Sequence, residues 1–111
     1  MSYFNDRESI IIGKDKALNY LLNPAHKDGW SKAKILIEHG FHPENWEIFV
    51  ERVKDHAQIA KVAAEIKTPF GMKVTLNDFL ETPSMKNLLI KSVWIVVKNA
   101  PILVTLYPSR K

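Results

Sequence analysis

The apolar residues of this chain change period once, near His56, and that change limits what the chain can fold into. Before it, apolar positions recur at helical spacing. Ala17, Leu18, Leu21 and Leu22 form one stripe. Ala33, Leu36 and Ile37 form a second. Trp46, Phe49, Val50, Val53 and Ala57 form a third, at i, i+3, i+4, i+7 and i+11. After His56 the pattern alternates, Val62, Ala64 and Ile66 against Lys61, Ala63, Glu65 and Lys67, although the alanines leave a helix open there. Helices followed by strands make an α+β pattern. The expectation is two to three N-terminal helices packed on a four-stranded antiparallel sheet.

Local signals place the boundaries. A first helix over 14–22 stops at Asn23-Pro24, because proline pushes the residue before it out of the α region. A second starts at Ser31 as N-cap, with Trp30 and Ile35 spaced as a hydrophobic staple, and ends at Gly40 as a left-handed residue. A third has Pro43 in its first turn. Thr68-Pro69-Phe70-Gly71 is a turn leading into a strand over 72–80. Thr82-Pro83-Ser84 breaks the chain before a nearly continuous apolar strand over 88–97, expected to be central. Lys98-Asn99-Ala100-Pro101 turns into a last strand over 102–107. Residues 1–9 are polar and expected to be a flexible terminus, with a single domain over 10–111 and Ile10-Ile11-Ile12 as a short strand or packed lead-in.

Composition narrows function by exclusion. There is no cysteine, hence no disulfide framework or thiolate metal site, which suits a reducing, cytoplasmic setting. No apolar run nears the roughly 20 residues of a membrane helix, so no membrane partner is expected. The start has no signal-peptide pattern. HExxH, CxxC, P-loop and GxGxxG motifs are missing, and the carboxylates are scattered, so neither a metal nor any other cofactor is expected. A net charge of +4 permits a polyanionic partner without requiring one.

The stretch around the second helix carries the most chemical information. Lys32 and Lys34 stand in its first turn, where the helix dipole disfavours cations. His26, Lys27 and Gly29 lie just ahead. Together these make a phosphate site plausible; solvated surface lysines are the competing reading. His39 and His56 fall near helix C-termini, where a charged imidazole is favourable, and His42 reads as a turn or capping residue before Pro43. His26 lacks such an explanation and is a candidate general acid or base. In the last strand Thr105 and Tyr107 share a face. Lys91 and Ser92 point to opposite faces of the strand before it, and either one fits the same cleft. Trp30, Trp46 and Trp94 read as core.

The run Leu22-Asn23-Pro24-Ala25-His26-Lys27-Asp28-Gly29-Trp30-Ser31-Lys32-Ala33-Lys34 resembles an LNPxHxxGxxKA opening. With Thr68-Pro69-Phe70-Gly71, Val93-Trp94-Ile95-Val96 and Leu103-Val104-Thr105-Leu106-Tyr107-Pro108, it resembles an uncharacterised bacterial family of short toxin-like domains. That family in turn resembles the barnase–EndoU–colicin–RelE ribonuclease superfamily. Phe70, Leu106 and Ile102 depart from its pattern, in place of a tyrosine, a small residue and a polar or basic one. The resemblance implies a metal-independent endoribonuclease of the toxin–antitoxin or polymorphic-toxin type. RNA would be its substrate, and a cognate antitoxin or immunity protein its partner. His26, Lys32, Tyr107 and Thr105 would carry the chemistry, and Lys34, Lys27, Gly29 and Lys91 would hold substrate. A non-catalytic protein- or RNA-binding module stays open as the alternative.

Overall fold

The computed structural model describes residues 3–27 and 30–109. A 3-10 turn (Arg7–Ser9) and a π-helix (Lys16–Leu21) precede the helix α1 (Trp30–Glu38). Another 3-10 turn (Pro43–Asn45) leads into α2 (Trp46–Ile59). Four strands follow: β1 (Lys61–Thr68), β2 (Gly71–Leu80), β3 (Leu88–Val97) and β4 (Ala100–Pro108). They pair antiparallel in chain order, β1-β2-β3-β4.

The core lies between the helices and one face of the sheet. Val74, Leu76 and Leu80 of β2, Ile90 and Trp94 of β3, and Leu106 of β4 are fully or almost fully buried against Leu21, Leu36, Phe49 and Val53. Each such Leu, Ile, Val or Phe contributes about 1.5–3 kcal/mol relative to exposure. The opposite face carries rows set by the register. Thr75, Val93 and Thr105 form one, and Asn77, Lys91 and Tyr107 the next.

The helix ends have specific causes. α1 stops in a Schellman motif: Phe41 N–H donates to Leu36 C=O at 3.0 Å and Gly40 N–H to Ile37 C=O at 2.9 Å. Gly40 has φ +100°, and a Cβ there would press on Pro83 at 3.0 Å. Phe41 is then delivered into the core beside Phe49. Before α2, Asn45 Oδ1 accepts from the His42 N–H at 2.7 Å.

Four expectations need correction. The described part of the N-terminal segment, residues 3–9, is packed: Phe4 is buried edge-on against Trp94, and Arg7 bonds Glu51 at 2.7 Å and Asp55 at 2.8 Å on α2. Two aromatics in a polar stretch were enough to fix it to the core. α1 begins at Trp30, so Ser31 is inside the helix and neither caps it nor leaves Trp30 as a staple. Trp30 is 53% exposed and is not core. The first helix is π-helical over most of its length, with Leu22 N–H donating to Ala17 C=O. The lead-in around Ile10 contributes one buried side chain and a single parallel bridge, Ile11 to Ile102, along the start of β4.

Candidate functional site

The π-helix and α1 meet beside β4, and their contact there is polar. Lys32 extends from α1 and donates to the Tyr20 hydroxyl at 2.7 Å and to Thr105 Oγ1 at 3.2 Å. Its ammonium also lies 5.1 Å from the centre of the Tyr20 ring, and that of Lys16 lies 5.0 Å from it. The His26 ring stands edge-on to Tyr20, with centroids 4.9 Å apart. Two cations, a phenol, an imidazole and a hydroxyl thus share one half-buried spot. Four of them come from residues 16–32, and Thr105 is brought in from the last strand.

Each residue arrives there for a local reason. His26 is set by a turn in which its N–H donates to Asn23 C=O, while its own C=O accepts from Trp30 N–H at the head of α1. Thr105 is half-buried on the face of β4 turned away from the core, opposite Val93, just past a bulge in β4. The i→i+5 bonding of the π-helix widens the turn that carries Tyr20, and such turns often mark functional sites.

The expected site residues divide. Lys32, Thr105 and His26 come together. Lys34 does not join them: two residues on a helix are about 200° apart, so Lys34 is exposed while Lys32 turns inward. Lys27 is exposed in the loop, and Gly29 lies outside the described residues. Tyr107 is two residues beyond Thr105 on the same face, roughly 7 Å along the strand, and pairs with Lys91. Between Lys91 and Ser92 the choice is settled. Ser92 is fully buried on the core side, and Lys91 faces the side of Thr105 and Tyr107.

Tyr20 and Lys16 were not singled out from the sequence. Their i,i+4 spacing was the available signal, but the apolar stripe around Tyr20 argued for plain helix packing. The hydrogen bond from Lys32 holds the Tyr20 phenol below its ordinary value, with Thr105, the charge of Lys32 and the charge of Lys16 acting the same way against desolvation. In a spectrophotometric titration Tyr20 is therefore expected to ionise below the ordinary tyrosine range. Lys32→Met should move that early step back towards an ordinary tyrosine; an unchanged curve would contradict the bond.

His56 sits elsewhere. It is buried at the end of α2, where Nε2 meets Ser92 Oγ at 2.8 Å and Nδ1 meets Phe79 C=O at 3.3 Å. Trp94 Nε1–H donates to the same Ser92 oxygen at 2.8 Å. A charged imidazole favoured by the helix end is thus the wrong description: burial depresses its basicity. Among the described residues no group of three His, Cys, Asp or Glu could hold a metal ion. No helix among them is long and apolar enough to cross a membrane.

Comparison with known proteins adds family and fold. Residues 3–110 match the model of a family described as a domain of unknown function, DUF6883. No curated protein matches the sequence. Among solved structures, a chain of a contact-dependent growth inhibition toxin–immunity protein complex from Klebsiella pneumoniae 342 has the same fold. The TM-score is 0.74 at 15% identity, covering 95% of this chain and 97% of that one.

Proposed function

We propose that this chain, which belongs to the DUF6883 family of domains of unknown function, is a toxin-type endoribonuclease that cleaves RNA without a metal. The observation that carries this reading is Lys32, held between Tyr20 and Thr105 with His26 beside them. RNA supplies its own nucleophile, so the protein need only move protons and stabilise charge. His26, as general base, takes the proton from the ribose 2′-hydroxyl. The 2′-oxygen forms a bond to phosphorus and the bond to the 5′-oxygen breaks. A protonated group returns a proton to that leaving oxygen. The products are a 2′,3′-cyclic phosphate and a 5′-hydroxyl. Lys32 stabilises the charge that builds on the phosphoryl oxygens, and Lys91 and Tyr107 extend the surface along which the chain of phosphates runs. The shared fold with a chain of a toxin–immunity complex supports a toxin-like role and a cognate immunity or antitoxin partner.

The test is cleavage of total and transfer RNA by the wild type and His26→Ala, in EDTA and at low salt. Cleavage by the wild type with a loss of about 10²–10⁴-fold in the variant is the expected result. No cleavage by either, with RNA binding that weakens steeply with salt, would leave a binding module in place of the enzyme.

A further inference from the structure

The two sides of the sheet are treated differently by the rest of the chain. On the β4 side, Ile11 pairs with the strand, its N–H donating to Pro101 C=O and its C=O accepting from Leu103 N–H, and the Lys32 cluster lies alongside. On the β1 side nothing pairs among the described residues: β1 is the terminal strand, and its residues 61–67 are exposed on both faces. Ile66 is 56% exposed there. A long edge strand with apolar side chains is a template for another strand, and proteins ordinarily blunt it with charged side chains, lysine above all, or with a bulge. A bulge is present between Val62 and Ala64, which leaves the first part of β1 unsuited to regular pairing. Residues 64–68 continue in regular register with β2. Their charges are of both signs, Glu65 and Lys67, one on each side of Ile66.

That arrangement is self-complementary. We propose that β1 is a dimer edge, at which residues 64–68 of two copies pair antiparallel about a twofold axis at Ile66. In this register Glu65 of each copy faces Lys67 of the other, Ala64 faces Thr68, and the two Ile66 side chains meet. Centring the pair on Glu65 opposes two carboxylates, and centring it on Lys67 opposes two ammonium groups, so charge selects the register. The paired residues keep their faces. Ile66, opposite Lys73 in β2, lies on the helix-free side, and Glu65 and Lys67, opposite Val74 and Met72, lie on the helix side. The product is a continuous eight-stranded sheet with the Lys32 clusters at its two far edges.

The experiment is sedimentation equilibrium of the full chain at up to about 1 mM. The wild type is expected to dimerise. Lys67→Glu, which sets carboxylate against carboxylate at both contacts, should weaken the dimer about tenfold or more. Glu65→Lys with Lys67→Glu restores opposite charges and should bring dimerisation back to within about threefold of wild type. Circular dichroism checks that these exposed substitutions leave the fold intact. A monomer throughout, including one that pairs only with a different protein, overturns the proposal. So does a dimer indifferent to Lys67→Glu, or a double variant that stays monomeric.

Discussion

Replacing Lys32 with methionine is expected to lower the proposed RNA cleavage about 10²–10³-fold while leaving the protein folded. Methionine keeps an unbranched stem of similar length, so packing between α1 and β4 changes little. What disappears is the ammonium that bonds Tyr20 and Thr105 and lies over the Tyr20 ring. The loss should appear in kcat, because the charge it stabilises develops on the way to the phosphorane. If Lys32 only held the ground-state phosphate, KM would rise instead and the salt dependence of binding would fall by about one ion. The stability cost should stay near or below about 1 kcal/mol, as for a half-exposed polar contact. Single-turnover cleavage and thermal unfolding of both proteins decide it, and wild-type rates in the variant would remove Lys32 from the chemistry.

Such a site was only partly legible in the sequence. The period change near His56 exposed the order of helices and strands, because burial on one face writes a repeat of 3.6 or 2 directly into the residues. The C-terminal stop at Gly40 was equally readable, because the Schellman geometry requires a positive φ. His26, Lys32 and Thr105 could be picked by residue type and setting. Their convergence could not, since Lys32 and Thr105 lie 73 positions apart and meet only once β4 becomes an edge strand. Tyr20 stayed hidden for a different reason. It stands beside the stripe of Ala17, Leu18, Leu21 and Leu22, which fits an ordinary α-helix, so no local pattern announces the π-helical turn that carries it. Arg7 is a similar case: it is one charge in a polar tail until Glu51 and Asp55 appear on one face of α2. His56 was placed correctly near a helix end, but its side chain is buried while the end itself is exposed, and burial disfavours the charge that the dipole favours.

Stability is therefore expected to fall with acid, and His56 is the reason. Its surroundings admit one hydrogen assignment that satisfies every group. Trp94 Nε1–H donates to Ser92 Oγ, the Ser92 hydroxyl donates to His56 Nε2, and His56 Nδ1–H donates to Phe79 C=O. This needs a neutral imidazole. Protonating Nε2 leaves the Ser92 hydroxyl facing a donor and puts a charge inside the core. Burial depresses the histidine below its ordinary value of 6.5, against weaker opposing effects of the Phe79 bond and the Asp78 charge. The folded state thus binds fewer protons than the unfolded chain, and stability is complete above about pH 6.5. It declines as the pH falls below that point, by at most about 1.4 kcal/mol per pH unit, until the folded-state histidine itself titrates. Urea unfolding at pH 8 and at pH 5 measures the slope, with His56→Gln as reference. Glutamine can donate and accept but does not titrate, so the variant should be less stable at pH 8 and should lose less on acidification. Because His26, His39 and His42 are common to both proteins, their share cancels. Equal losses in the two would mean that the buried imidazole does not set the acid sensitivity of this fold.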